Sequence, residues 1–292
     1  MKKNTLTPYR VICAVILAVL AVFFLFPLYW IITGSVKEKS DIIIKSGEMV
    51  KWIPTTITWD NYQRLFKTGT KLFGIGMPMA IRWLFNSVFI SVVAMGLTCA
   101  TSSLAGYALA KKRFWGKGLI FGLFVCAMAL PKQVILIPLM TEMSNLGLLK
   151  SVWGSMFAVI FPVVGWPFGV FLMKQFSENI PSSLLEAARI DGANEFYIFH
   201  KIVLPMSKNG IFSIAIFQFL WAWEDFLWPY LVITNKDKQL LAVGLKMFNG
   251  QYSTDYGALF AATAISIIPV LLIYLFFQKQ FIAGIAASAV KG

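Results

Sequence analysis

The sequence predicts an all-α fold: a polytopic transmembrane helical bundle of six spans, both termini cytoplasmic, with residues 1–292 forming a single membrane domain. Two observations carry this expectation. The 292 residues are 58% hydrophobic and 13% charged, more apolar surface than one soluble core absorbs, so lipid has to cover the excess. The apolar runs are also continuous and long, and a helix needs roughly 20 apolar residues to cross hydrocarbon about 30 Å thick. A transmembrane β-barrel would instead alternate polarity over segments of about 10 residues.

Charged and Gly/Pro flanks bound the six spans at about 11–33, 85–109, 119–140, 152–173, 209–233 and 258–279. The first follows Lys2, Lys3 and Arg10 but is too long for a signal-peptide core and lacks a clear small-residue cleavage site, so it reads as a retained span. Orientation follows from Lys and Arg in short loops. With the N-terminus inside, 13 of the 26 basic residues are cytoplasmic, and eight more crowd the long first loop, where charge has little influence on topology. Discounting those eight leaves 13 inside against 5. No internal repeat, low-complexity tract or separate extramembrane domain is evident.

Several function classes are disfavoured. The net charge of +13 is scattered through loops rather than gathered into a stripe, which suits anionic lipid headgroups and gives no indication of nucleic acid. No phosphate-cradling GxxxxGK[ST] occurs, so ATP and its Mg have to be handled by partners, and no cofactor is expected on this chain. His200 is the sole histidine, acids are mostly solitary, and Cys13, Cys99 and Cys126 lie singly in apolar runs. Neither a metal site nor a catalytic cluster is expected, and the chain is not read as an enzyme.

The loop 174–208 between the fourth and fifth spans is the informative segment. Pro181 suits a first helical turn, Ser183 and Glu186 have capping-box spacing, and Ala187 and Ala188 favour helix. Asp191 and Gly192 then interrupt, with Gly192 able to take the left-handed conformation that ends a helix, and Asn194 can cap a second one. That helix, about 194–203, carries Phe196, Ile198, Phe199, Ile202 and Val203, and Pro205 is expected to stop it short of the fifth span. A short amphipathic helix pair with a sharp turn suits a groove on another protein.

Glu186-Ala187-Ala188, Gly192, and then Ile202, Leu204 and Pro205 resemble the EAA loop of ABC importer permeases. Nearly the whole chain is similar to the second permease subunit of maltose-type carbohydrate importers: Trp52, Pro54, Asn61 and Tyr62; Asn86-Ser87; Gly106-Tyr107-Ala108-Leu109-Ala110 with Phe114 and Gly116; and Leu130-Pro131. The resemblance implies a bacterial inner-membrane permease subunit, paired with a second permease, two ATPase subunits and an extracytoplasmic solute-binding protein. The resemblance further implies import of a sugar or oligosaccharide by alternating access, with glycerol-phosphate or polyol import as the alternative. It also implies that Glu186, Ala187, Ala188, Asp191, Gly192, Ile202, Leu204 and Pro205 couple to the ATPase, with Glu186 facing a basic residue there. The tail from Gly284 through Val290, Lys291 and Gly292 would reach the ATPase dimer, a plain flexible tail being the alternative.

Two segments concern the transport path. Trp221, Trp223, Glu224 and Asp225 lie in the fifth span with Phe226, Trp228 and Pro229, where aromatic faces stack on sugar rings and carboxylates accept hydroxyl bonds. Relatives often have asparagine in place of Glu224, and interfacial anchoring explains tryptophan equally well. Gln251, Tyr252, Asp255 and Tyr256 resemble the loop that family members insert toward the binding protein, a solvated loop being the alternative. An ion-coupled secondary transporter would need midplane charges in repeated halves, and only Lys132, Glu224 and Asp225 qualify.

Overall fold

A helix that meets lipid must satisfy its own backbone, and the apolar runs of this chain do so as helices. The computed structural model describes residues 8–43, 47–67, 69–72, 75–248 and 254–289. In chain order the elements are α1 (Pro8–Ser35), α2 (Lys39–Ile42), α3 (Asp60–Lys67), and the antiparallel strands β1 (Gly69–Leu72) and β2 (Ile75–Pro78), with Leu72 opposite Ile75. Then come α4 (Met79–Lys111), α5 (Lys117–Met128), α6 (Lys132–Asn145), α7 (Val152–Ile160), α8 (Pro167–Glu178), α9 (Ser182–Ile190), α10 (Glu195–Ile198), α11 (Leu204–Met206), α12 (Lys208–Glu224), α13 (Leu227–Val232), α14 (Leu241–Leu245) and α15 (Tyr256–Ala289). Among the described residues three helices, α1, α4 and α15, are long and apolar enough to cross a membrane unbroken, and three bent pairs raise the total to as many as six.

The bent pairs correct the expectation of continuous spans. The run 119–140 is interrupted: α5 and α6 meet at 107°, because Pro131 cannot take helical hydrogen bonding and turns extended (φ −62°, ψ 129°). The run 209–233 ends its first helix at Glu224; Asp225 is extended (φ −64°, ψ 115°), and Phe226, Trp228 and Pro229 fall beyond the break rather than in one span. Between α7 and α8 the path bends by 45° at Pro167. Proline removes a donor, and hydroxyls of α4 compensate: Thr98 Oγ1 donates to the Val163 carbonyl at 3.0 Å and Thr101 Oγ1 to that of Val164 at 2.5 Å.

The chain divides into two compact units, residues 1–81 with 245–268, and residues 82–244 with 269–292. In the first, Asn61 is buried and donates to the carbonyls of Ser35 (2.9 Å) and Lys37 (2.8 Å), capping the end of α1, while Tyr62 donates to Ser35 Oγ. These are two of the residues that carried the family resemblance, and their work is structural. In the second unit Ile90, Leu136, Met156, Ile160, Trp228 and Val232 share one core, and buried Trp228 donates its indole N–H to the Ala158 carbonyl at 3.0 Å. Asn86 donates to the carbonyls of Asp237 and Gln239, and the Leu241 amide donates to Ser87, pinning the segment before α14 to the start of α4.

Candidate functional site: the elbow between α9 and α12

The elbow is built from helix-end chemistry. α9 starts at Ser182 with Pro181 as its cap residue and no side-chain cap bond, so the expected capping box is absent. The reason is register: Ser183 and Glu186 lie inside the helix, whereas a box needs the cap and third helical positions. At the other end the expectation holds in detail. Gly192 adopts φ 84°, Ala193 N–H bonds the Ala188 carbonyl at 2.9 Å and Gly192 N–H bonds that of Arg189 at 3.0 Å, the paired bonds of a Schellman ending. Asn194 Oδ1 then accepts from the Tyr197 amide at 2.8 Å and starts α10.

The second helix runs further than expected. It passes through a π turn, Phe199–Val203, and through Pro205 to end at Met206, and the break falls at Ser207 with a 75° bend into α12. A π turn is wider than an α turn, which gives the proline ring the clearance that an α turn would deny it. Exposed His200 packs against the rings of Phe196 and Phe199.

The two sides of the elbow differ. Its inner side buries Leu185, Ile198, Phe199 and Val203 against Ile180 and Tyr107 of α4. Gly106 lets α4 and α8 touch: a Cβ there would lie 2.5 Å from Met173 Cβ and 2.7 Å from the Lys174 backbone nitrogen. Lys111 closes the end of α8 by donating to the carbonyls of Glu178 (3.1 Å) and Ile180 (2.5 Å). The outer side is solvent-facing: Glu186, Ala187, Asp191, Gly192 and Pro205 are exposed, whereas Ala188, Ile202 and Leu204 are half-buried against the inner cluster. Large apolar side chains stand largely uncovered there, Ile190 at 86% and Phe196 at 71% exposure.

Sequence reasoning missed Glu195. Its carboxylate gathers Lys112, which pairs with Oε2, Tyr107 Oη, which donates to Oε2 at 3.1 Å, and Arg189 Nε, which donates to Oε1 at 3.1 Å. The Lys112 bond, followed by burial acting in the opposite direction and then the Tyr107 bond, leaves the carboxyl below its ordinary value. The group thus ties the elbow to the last turn of α4. The available signal was a lone acid directly after a helix cap, facing the Lys-Lys-Arg run that ends the second span.

The transport-path candidates separate. Asp225 pairs with Lys132 at 2.6 Å, half-exposed Trp221 stacks on Trp166, and Glu224 is exposed, whereas Trp223 is buried against Phe219. Asp255 accepts from the Ala258 amide at 3.1 Å and pairs with Arg64 at 3.3 Å, so it caps α15; Tyr256 begins that helix and is exposed. Gln251, Tyr252, Val290, Lys291 and Gly292 lie outside the described residues.

Residues 102–286 match the family described as binding-protein-dependent transport system inner membrane component. The chain is 34% identical over 284 residues to the arabinooligosaccharides transport system permease protein AraQ of Bacillus subtilis, covering 97% of this chain and 96% of that one. It is 33% identical over 282 residues to the multiple sugar-binding transport system permease protein MsmG of Streptococcus mutans, covering 95% of each. Among solved structures, a chain of a bacterial ABC transporter involved in import of the acidic polysaccharide alginate shares the fold, with TM-score 0.78 and 23% identity over 96% of this chain and 100% of that one.

Proposed function

Because this chain belongs to the binding-protein-dependent transport system inner membrane components, we propose that it forms half of the translocation path of an ATP-driven importer for a sugar or oligosaccharide. It is an integral inner-membrane permease. In this reading it crosses the membrane six times, as α1, α4, α15, the bent pairs α5–α6 and α7–α8, and α12 with α13, with both termini and the elbow in the cytoplasm. Its partners are a second permease, two ATPase subunits and an extracytoplasmic binding protein. The sugar assignment draws on the transport systems named for AraQ and MsmG.

One observation carries the coupling role: the elbow is fastened on its inner side and holds large apolar side chains exposed on its outer side. Leu185, Ile198 and Val203 are no more than 2% exposed, while Ile190 and Phe196 face solvent. A segment outside lipid keeps such side chains exposed when another protein covers them. ATP closes the ATPase pair, the pair moves the elbow, and Glu195, Tyr107 and Lys111 pass that motion to α4 and α8. Coupling is mechanical, and the ATP and Mg belong to the partners.

Two substitutions test this. Gly192→Pro cannot reach φ 84°, and Glu186→Lys reverses an exposed charge on the docking side. Both are expected to leave membrane insertion intact and abolish substrate-stimulated ATP hydrolysis in the reconstituted complex. Normal stimulation in both would overturn the coupling role.

A further inference from the structure

We propose that the breaks in three spans converge on a charge-balanced subsite for a neutral, polyhydroxylated sugar ring, formed by Lys132, Asp225, Trp221 and Trp166. The proposal rests on the import reading and adds to it a ligand class and two residues, Lys132 and Trp166.

Each contributor sits at or beside a break. Lys132 is the first residue of α6, directly after the 107° bend; Asp225 is the extended residue that ends α12; Trp166 precedes Pro167 at the 45° bend; Trp221 lies in the last turn of α12. The breaks meet in space: Lys132 Nζ is 2.6 Å from Asp225 Oδ2 and 4.9 Å from the Trp221 ring centre, and the Trp221 and Trp166 rings stack at 6.0 Å and 20°. Discontinuous helices mark substrate sites in transporters because freed backbone and polar side chains can then face a cavity.

Lys132 opens α6 just beyond the end of α5, and Asp225 lies between the end of α12 and the start of α13, so both charges stand in breaks between helices. Charge within spanning segments is costly and is retained where it faces a partner or a path. Neither group is sealed: the side chains remain 26% and 17% exposed, and Trp221 is 42% exposed.

The chemistry fits a vicinal diol. An ammonium carries three donors and the ion pair uses one, while Asp225 Oδ1 makes no hydrogen bond among the described residues. One hydroxyl can accept from Nζ while its neighbour donates to Oδ1, with the ring's C–H edge against Trp221. Because the pair is neutral overall, it offers a charged sugar no net attraction to offset the desolvation of its charge, whereas a neutral ring brings no charge to desolvate.

The test is saturation-transfer NMR on the detergent-solubilised permease–ATPase complex, without binding protein, using methyl glucoside and glucuronate as probes. Wild type is expected to transfer more to methyl glucoside than to glucuronate. Asp225→Asn, which leaves Lys132 unopposed, should shift the ratio toward glucuronate, and Lys132→Gln should shift it further away. Trp221→Phe should weaken transfer to both probes. Equal transfer in wild type, no transfer to either probe, or a ratio unmoved in both charge variants would overturn the subsite; a purely structural ion pair gives the last result. Co-purification of ATPase in the same preparations reports on the import reading separately, so the two can fail independently.

Discussion

The segment after α1 and the elbow between α9 and α12 are both polar connections, and they are fastened differently. After α1 the ties are buried. Lys37 is 1% exposed, donates to the Lys51 carbonyl and lies over the Trp30 ring at 4.1 Å; Asp41 is 2% exposed and accepts from Lys51 Nζ (2.7 Å), the Thr55 amide (2.8 Å) and Thr55 Oγ1 (2.6 Å). At the elbow the polar tie is Glu195, half-exposed, with Lys112 and Arg189 also reaching water. A buried group such as Lys37 or Asp41 that loses its partner is left unsatisfied away from water, whereas an exposed cluster can exchange partners at small cost. The first arrangement fixes a loop; the second suits a joint that moves under load.

Perturbing the two regions should therefore have different readouts. The largest effect is expected from Glu195→Lys, which faces Lys112 and Arg189 with a like charge: stimulated ATP hydrolysis should fall to background, and the combined Glu195→Lys, Lys112→Glu variant should recover part of it. Glu195→Gln keeps the shape and should lose about tenfold of the stimulation, equivalent to about 1.4 kcal/mol of coupling, with thermal unfolding nearly unchanged. The reverse pattern, unfolding without loss of coupling, would erase the distinction between the regions.

Asp41→Asn should leave stimulated ATP hydrolysis intact and make the 36–67 segment sensitive to protease. The carboxyl of Asp41 is lowered to about 2, first by the Lys51 bond and then by the Thr55 bonds. A depressed folded value stabilises above the unfolded value of 3.8 and is lost as pH falls toward about 2. Protease protection of that segment should hold at pH 5 and above, and decline only within that acid window. The smallest effect is expected from Lys111→Met, which removes two bonds to the end of α8 but leaves the apolar contacts of Tyr107: a few degrees in Tm and a measurable, incomplete loss of coupling.

Much of this was legible in the sequence, for local reasons. Apolar run length gave α1, α4 and α15, and Gly192 and Asn194 gave the turn of the elbow, because left-handed glycine and an asparagine cap act within a few residues. What escaped depended on distance. Hydropathy does not register a bend, so Pro131 and Asp225 read as interior to spans that they interrupt. Pro205 read as a stop because the π turn that accommodates it leaves no compositional mark. The Glu195–Lys112 and Lys132–Asp225 pairings span 83 and 93 positions, a separation that no local pattern registers.

The central claim is that the exposed side of the elbow engages an ATPase. The direct measurement is photo-cross-linking from a benzoyl-phenylalanine placed at Ile190 in the intact transporter, with and without ATP. The expected product joins this chain to the ATPase subunit, in a yield that changes with nucleotide. Cross-linking to lipid alone, or labelling of position 190 by a reagent confined outside the cell, would contradict it.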